Sequence, residues 1–222
     1  MIHELNENFM AFCKFLGSGD INSKIWFVGI EEGGKTVTKK NISEQLTICK
    51  EETTFFPLAS DNTPVWNIIA ELLFSKYSNI HKLKDTEYRQ KMFDEKYSCF
   101  FLTELFPLPR LNNSSWEENY TELFGYSQSD YFDYLSDVRS FRFPIIYKKW
   151  IEKRPTITIC FGSTYRYEFI NLFQLGHSRF INLPDTGILN YPKENILLCP
   201  FFNYRTIKNK ERDILKELIN KL

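Results

Sequence analysis

The chain has 222 residues and carries 28 basic and 28 acidic residues, so its formal net charge is zero. This balance excludes the strongly basic body that is typical of nucleic-acid-binding domains, and the aromatic content of 17% excludes a disordered chain. The length predicts a single domain that spans residues 1–222.

The five cysteines show no C-x-x-C spacing, and Cys99, Cys160 and Cys199 lie in apolar runs that are typical of strands. We therefore interpret them as small buried side chains in a reducing compartment. No apolar run reaches the length of a membrane span, and the N-terminus lacks the pattern of a secretion signal. These features predict a cytoplasmic protein with no membrane contact, no metal and no other cofactor.

The predicted elements alternate between helices and apolar strands along the chain. A helix over residues 4–16 precedes a buried strand over 25–30, and Pro64 begins a helix over 64–73. The remaining predicted elements are a helix over 86–95, a strand over 98–105, an extended proline-containing loop over 106–110, a helical region over 130–154 kinked or broken at Pro144, a strand over 156–161, a helix over 163–173, a short edge strand over 180–183, a strand over 196–201 and a helix over 208–222. Four buried strands alternating with helices predict an α/β fold, a three-layer α/β/α domain with a central four-stranded, mostly parallel sheet.

The loops that follow the four predicted strands carry most of the polar side chains of interest. In an open α/β sheet, ligands bind in the crevice beyond the carboxyl ends of the strands. The four loops supply Glu31 to Gly34, Glu104, Gly162 to Thr164, and Pro200 to Arg205. We expect these segments to form one mouth that suits a planar, polar ring.

Residues 29–36 also fit the phosphate-binding pattern G-x-x-x-x-G-K-[ST]. Glu31 and Glu32 would repel phosphates inside such a cradle, and the residues after Thr36 lack the apolar period of a following helix. A P-loop nucleotide hydrolase that uses Gly29 to Thr36 is therefore the less favoured alternative.

The order of these features resembles the uracil-DNA glycosylase superfamily. The matching pieces are the strand end Gly29-Ile30-Glu31-Glu32-Gly33, the aromatic pair Phe55-Phe56, the helix Pro64-Val65-Trp66-Asn67-Ile68-Ile69-Ala70-Glu71-Leu72, the second strand with its Pro-rich loop, and the passage from Trp150 through Arg154-Pro155 to Phe161-Gly162. The sequence departs from the family at its last loop, where Cys199-Pro200-Phe201 replaces a His-Pro-Ser-type motif. Thr103 or Glu104 replaces the asparagine that reads uracil.

The resemblance implies a base that leaves the DNA stack and enters the mouth. It implies that Glu31 orients a water or stabilises a cationic sugar, and that Asn203 donates to the departing base. It further implies nucleobase binding by Phe55, Phe56, Glu104, Gly33, Phe202 and Arg205.

The sequence thus predicts a partner that is DNA, a nucleobase or a nucleotide. Two functions remain open at this point: hydrolysis of the N-glycosidic bond of a damaged or modified base, and a catalytically silent binding or interaction module of the same fold.

Overall fold

The computed structural model describes residues 5–33, 36–55, 63–81, 85–92, 94–110 and 115–222. Within these ranges the helices are α1 (Glu7–Lys14), α2 (Ile42–Ile48), α3 (Pro64–His81), α4 (Asp85–Lys91), α5 (Tyr120–Phe124), α6 (Tyr131–Asp137), α7 (Phe143–Lys153), α8 (Arg166–Leu172) and α9 (Asn209–Asn220). The strands are β1 (Gly17–Gly19), β2 (Ile25–Gly33), β3 (Thr53–Thr54), β4 (Phe101–Arg110), β5 (Ile157–Phe161), β6 (Ile181–Asn182), β7 (Leu189–Tyr191) and β8 (Ile196–Cys199).

These strands form one sheet in the order β3-β1-β4-β2-β5-β8-β7-β6. The four central strands, β4, β2, β5 and β8, are mutually parallel. They are the four strands that the sequence predicts, and the α/β class is confirmed. The predicted short edge strand over 180–183 is present as β6 at one edge of the sheet. The sheet is wider than predicted, because β1, β3 and β7, short strands with little sequence pattern of their own, also join it.

Helices cover both faces of the sheet because successive residues of the central strands point to opposite faces and are apolar on both. In β2, Trp26 and Val28 pack with side chains of α1, α5, α6, α7 and α8, whereas Ile25 and Phe27 pack with side chains of α3, α4 and α9. The result is two separate cores, one on each side of the sheet.

The end of β4 corrects one prediction. The stretch over 106–110 was expected to be a loop, but β4 continues through Pro107 and Pro109 to Arg110. Prolines are tolerated in a strand where their missing N–H faces an open edge. Here β1 covers only the first residues of β4, and the Pro109 carbonyl faces the hydroxyl of Tyr120, which donates to it.

The helical region before β5 is irregular at a different place from the one predicted. Five residues of π-helix, Val138–Arg142, join α6 to α7, and Pro144 lies in the first turn of α7. Proline cannot donate an intrahelical hydrogen bond, so the altered helix geometry precedes it. None of the described helices is long and apolar enough to cross a membrane.

Candidate functional site

The strand order reverses at β2, which defines where a ligand is expected. After β2 the chain adds β4 on one side and later adds β5 and β8 on the other side. In sheets of this kind the crevice lies at the carboxyl ends of the two strands between which the order reverses, here β2 and β5. The side chains at these two strand ends therefore form the candidate site.

Glu31 lies at the carboxyl end of β2 and forms a buried ion pair. Its register partner in β4 is Phe106, and the register shifts between Glu31 and Gly33, so that Gly33 stands opposite Arg110. Such a bulge bends a strand and redirects its side chains. Arg110 donates from Nε and Nη2 to Glu31 Oε2, each at 2.7 Å, and the two side chains are only 4% and 5% exposed.

Both contacts from Arg110 reach the same oxygen of Glu31. Among the described residues, no hydrogen-bond donor reaches the second oxygen, Oε1. An ionised carboxylate only accepts hydrogen bonds, and each oxygen can accept more than one. The pair therefore holds the carboxyl group in place and leaves one oxygen available to a donor from a ligand or water.

Burial raises the pKa of the Glu31 carboxyl above its usual value, and the nearby Arg110 guanidinium opposes this rise. For Arg110, burial favours loss of the charge, but the attraction of Glu31 outweighs it and raises the pKa. The guanidinium thus stays charged, and the carboxyl is the member of the pair that can take up a proton.

Aromatic rings surround the ion pair. The Arg110 guanidinium lies 5.2 Å from the ring centroid of Tyr131, a cation–π contact. Tyr165 follows β5 and packs edge-on against Phe106, with ring centroids 5.6 Å apart. Burial raises the pKa of the fully buried Tyr134, and the negative charge of Glu31 raises it further. These rings lower the polarity around the carboxylate, and the partly exposed Tyr131 and Tyr165 offer aromatic surface at the mouth.

The ends of β2 and β5 approach each other closely at Gly162. Its φ of 118° favours glycine, and a Cβ at this position would lie 2.4 Å from Cδ1 of Ile30. The same Cβ would lie 3.8 Å from the ring of Phe201, which follows β8 and is partly exposed. Gly162 therefore brings the loops after β2, β5 and β8 together at one place.

Glu104 lies inside the sheet rather than at its rim. It stands opposite Gly29, and a Cβ at Gly29 would lie 2.1 Å from Glu104 Oε2, so the carboxylate packs against the backbone of β2. Alternation along β4 puts it on the same face as Leu102, which α3 covers. This packing does not support the predicted role in reading a base edge.

The structure places Phe55 away from the carboxyl end of β2. β3, which ends at Thr54, is parallel to β1, and β1 is antiparallel to β4. Phe55 therefore follows β3 near the level of Phe101, five residues before the level of Glu31, or roughly 17 Å along the strands. Phe56 lies outside the described residues.

The loop after β8 contributes less than predicted. Phe202 is fully buried and stacks on Phe161, with centroids 4.4 Å apart, so neither face of its ring is open to a base. Asn203 Oδ1 accepts hydrogen bonds from the backbone N–H groups of Arg205 at 2.9 Å and Thr206 at 3.1 Å. This turn commits the amide oxygen, while the amide NH2 group of Asn203 has no acceptor among the described residues. Arg205 is exposed.

The structure disfavours the P-loop alternative. Gly29, the first residue of that pattern, lies in the middle of β2, and the strand continues to Gly33. The next helix, α2, begins at Ile42, six residues after Thr36. A phosphate cradle needs a loop that starts at the strand end and runs directly into a helix.

The sequence did not reveal three members of the site, Arg110, Tyr131 and Tyr165. Arg110 pairs with Glu31 across 79 positions of the chain. Prolines favour extended backbone, so the two prolines before Arg110 were the one sequence signal for a longer β4. A longer β4 would have placed Arg110 at the rim of the sheet. Tyr131 and Tyr165 stand at helix starts and carry no pattern that separates them from core residues.

Among the described residues, no group of three or more His, Cys, Asp or Glu side chains is arranged to hold a metal ion. No protein-family model matches the sequence, and no curated protein sequence matches it either.

Proposed function

We propose that this chain binds a nucleobase-bearing ligand in the crevice at the carboxyl ends of β2 and β5, as a divergent protein of the uracil-DNA glycosylase-like fold. The proposal rests on one observation above all: Glu31 is fixed there by Arg110 through one oxygen and keeps the other for a ligand. A buried carboxyl with a raised pKa in a crevice is typical of functional sites.

Carboxylate chemistry defines the part of a base that would be recognised. Glu31 can accept a hydrogen bond from a ring N–H or an exocyclic amine, and it repels a carbonyl edge. The partly exposed rings of Tyr165 and Phe201 supply apolar surface for the planar base. Asn203 offers amide N–H groups in the loop after β8 for a carbonyl of the ligand.

The fold supports the same class of ligand. Four parallel strands with helices on both faces are what the resemblance implies, and the edge strands extend this core without interrupting it. Because Phe55 lies away from the mouth, we assign stacking on the base to Tyr165 and Phe201, which follow β5 and β8.

Binding is tested with free bases, nucleosides and short single-stranded and duplex oligonucleotides that contain uracil, hypoxanthine, xanthine or alkylated bases. Isothermal titration calorimetry compares the wild type with Glu31→Gln. We expect the variant to bind about tenfold more weakly or worse, because a carboxamide donor replaces one acceptor oxygen.

Glu168→Gln is the matched control for Glu31→Gln. Glu168 also pairs with an arginine, through Oε2 to Arg139 Nε at 3.0 Å, but it lies on α8 and not at the reversal of strand order. Its affinity should equal that of the wild type. Glu31→Asp keeps the negative charge. Comparing it with Glu31→Gln distinguishes weaker binding caused by loss of the acceptor oxygen from weaker binding caused by loss of folding. If the wild type binds no member of the panel, the proposal fails.

Hydrolysis of an N-glycosidic bond is the second candidate function. The raised pKa of Glu31 favours it, because a carboxylate of that kind can accept a proton from an attacking water. Incubation with the same oligonucleotides should then form abasic sites, at a rate that rises with pH through the Glu31 pKa and is lost in Glu31→Gln. Binding without abasic sites in any substrate identifies a binding module instead.

A further inference from the structure

A cavity lies at the opposite end of the central strands, at the amino ends of β5 and β8. It has a volume of about 680 Å³ and is bounded by α7, the end of α8 and the turn between β7 and β8. All of these segments are described by the structure, and none of them contributes to the Glu31 site. A cavity of this volume accommodates a small organic ligand.

One wall of the cavity is an aromatic shelf. The rings of Tyr147 and Trp150 stack with centroids 6.0 Å apart and an interplanar angle of 24°. Trp150 is held in position, since its Nε1 donates to Thr158 Oγ1 at 2.9 Å and its ring packs edge-on against Phe173. Both shelf residues are only half-buried, so their rings are accessible to a planar ring of a ligand. The contacts of Trp150 keep this surface in position.

A carboxyl group in the lining of the cavity lacks one hydrogen-bond partner. Glu194 Oε1 accepts a hydrogen bond from Ser178 Oγ at 2.7 Å. Glu194 Oε2 is buried, and no donor reaches it from any residue that the structure describes. A buried acceptor without a donor is costly, so an N–H group of a molecule in the cavity would relieve that cost.

Two cations complete the lining. Arg154 follows α7, Lys193 lies in the turn before β8, and both side chains are exposed at the cavity. Neither forms an ion pair with a described carboxylate. Two free cations beside an aromatic shelf favour a ligand whose planar ring carries an anionic group.

We propose that this cavity is a second ligand site, which binds a small nitrogen heterocycle bearing an anionic group, of the mononucleotide type. The ring stacks on Trp150, a ring amine or N–H donates to Glu194, and the anionic group binds Arg154 and Lys193. The site is independent of the Glu31 crevice and of the function proposed for it.

Calorimetric titration with AMP, adenosine and inorganic phosphate tests each part of this assignment. AMP should bind the wild type more tightly than adenosine does, and phosphate alone should bind weakly. Glu194→Gln should weaken AMP and adenosine alike by about tenfold, because it removes the carboxylate acceptor. Lys193→Ala should weaken AMP severalfold and leave adenosine unchanged.

Arg154→Gly is a second probe of the anionic group that does not endanger folding. Arg154 has a φ of 49°, a conformation in which glycine is at least as stable. This variant should lose affinity for AMP, keep its affinity for adenosine and melt no lower than the wild type. Glu152→Gln, an exposed carboxyl on α7 outside the cavity, is the matched control and should change neither affinity.

Several results would overturn the assignment. Absence of AMP and adenosine binding to the wild type at millimolar concentrations would do so. So would AMP binding that survives in Glu194→Gln and Lys193→Ala but is lost in Glu31→Gln, which would place the nucleotide at the carboxyl ends of the strands.

Discussion

Gly17, the first residue of β1, occupies a position where no side chain fits. Its φ is 151°, and a Cβ there would lie 2.0 Å from the backbone carbonyl oxygen of Leu102 in β4. That contact is with backbone of a central strand, which cannot move aside as a flexible side chain could. We expect Gly17→Ala to lower the free energy of unfolding by about 2 kcal/mol or more, measured by urea unfolding.

Gly176 provides the control at the same scale. A Cβ at Gly176 would meet no atom within 4 Å, and its backbone is not in the left-handed region. Gly176→Ala should therefore change the free energy of unfolding by less than about 1 kcal/mol in either direction. Equal losses in the two variants would show that the backbone approach at Gly17 does not determine its identity.

At the level of elements, Arg142 connects α1, β4 and the π-helical segment. It is 2% exposed and donates to the carbonyls of Phe12, Cys13 and Phe15 at the end of α1. It also donates from Nε and Nη2 to the carbonyl of Glu104, at 2.9 and 2.8 Å. One guanidinium thus satisfies four carbonyls: one belongs to β4, and three lie at the end of α1, where a helix leaves its last carbonyls without intrahelical donors.

Arg142→Lys should therefore be strongly destabilising although the charge is conserved. An ammonium has three donors on one atom and cannot reach carbonyls on two sides, so buried acceptors lose their partners. We expect a loss of about 3 kcal/mol or more in urea unfolding. Arg139→Lys, at a partly exposed arginine of the same segment, should cost less than about 1 kcal/mol.

A second connection between elements joins α3 to α9 through Glu71. Its Oε1 lies 3.1 Å from Arg212 Nε and 2.8 Å from Lys216 Nζ. Burial acts to raise the pKa of Glu71, but the hydrogen bonds and charges of Lys216 and Arg212 outweigh burial and lower the pKa. A lowered pKa in the folded state means that the interaction stabilises the fold above the unfolded pKa and is lost as the pH falls through the folded pKa.

Glu71→Gln should accordingly cost about 1 kcal/mol at pH 7 and almost nothing at a pH below both pKa values, where the wild-type carboxyl is also neutral. Urea unfolding of both proteins across this pH range measures the difference. Glu122→Gln breaks the exposed pair with Lys39 and should show little effect at any pH. A constant difference between wild type and Glu71→Gln across the pH range would contradict the ion-pair explanation.

The sequence predicted those elements that carry a pattern of their own. The four central strands are buried on both faces, and each reads as an apolar run. Pro64 begins α3 as predicted. β1 and β3, with three and two residues, form only because neighbouring backbone pairs with them, and no local pattern encodes that.

At the scale of the whole molecule, the sequence could predict those site residues that lie directly at the end of a recognisable strand. Glu31 ends a recognisable strand, so its place at the rim followed from the fold class. Phe55 lies away from this rim because its position depends on the direction of β3, which tertiary pairing alone determines. Arg110 could not be assigned to Glu31 because the contact spans 79 residues and depends on the register shift between β2 and β4, where the extra residues lie in β4.

The two proposed sites lie at opposite ends of the central strands, which allows a test of their independence. Register places Glu31 three residues beyond the Val28–Cys160 pair, and Glu194 two residues before the Ile196–Thr158 pair. About seven residue steps, roughly 23 Å, separate them along the strands. Their surroundings share no hydrogen-bond partner among the described residues.

The effects of Glu31→Gln and Glu194→Gln on the free energy of unfolding should therefore add to within about 0.5 kcal/mol in the double variant. The matched cycle combines Glu31→Gln with Arg110→Gln, whose side chains touch, and should show a coupling of about 1 kcal/mol or more. Urea unfolding of the two cycles under one set of conditions gives both numbers. If the distant pair couples as strongly as the touching pair, the two sites are energetically linked through the sheet and are not independent.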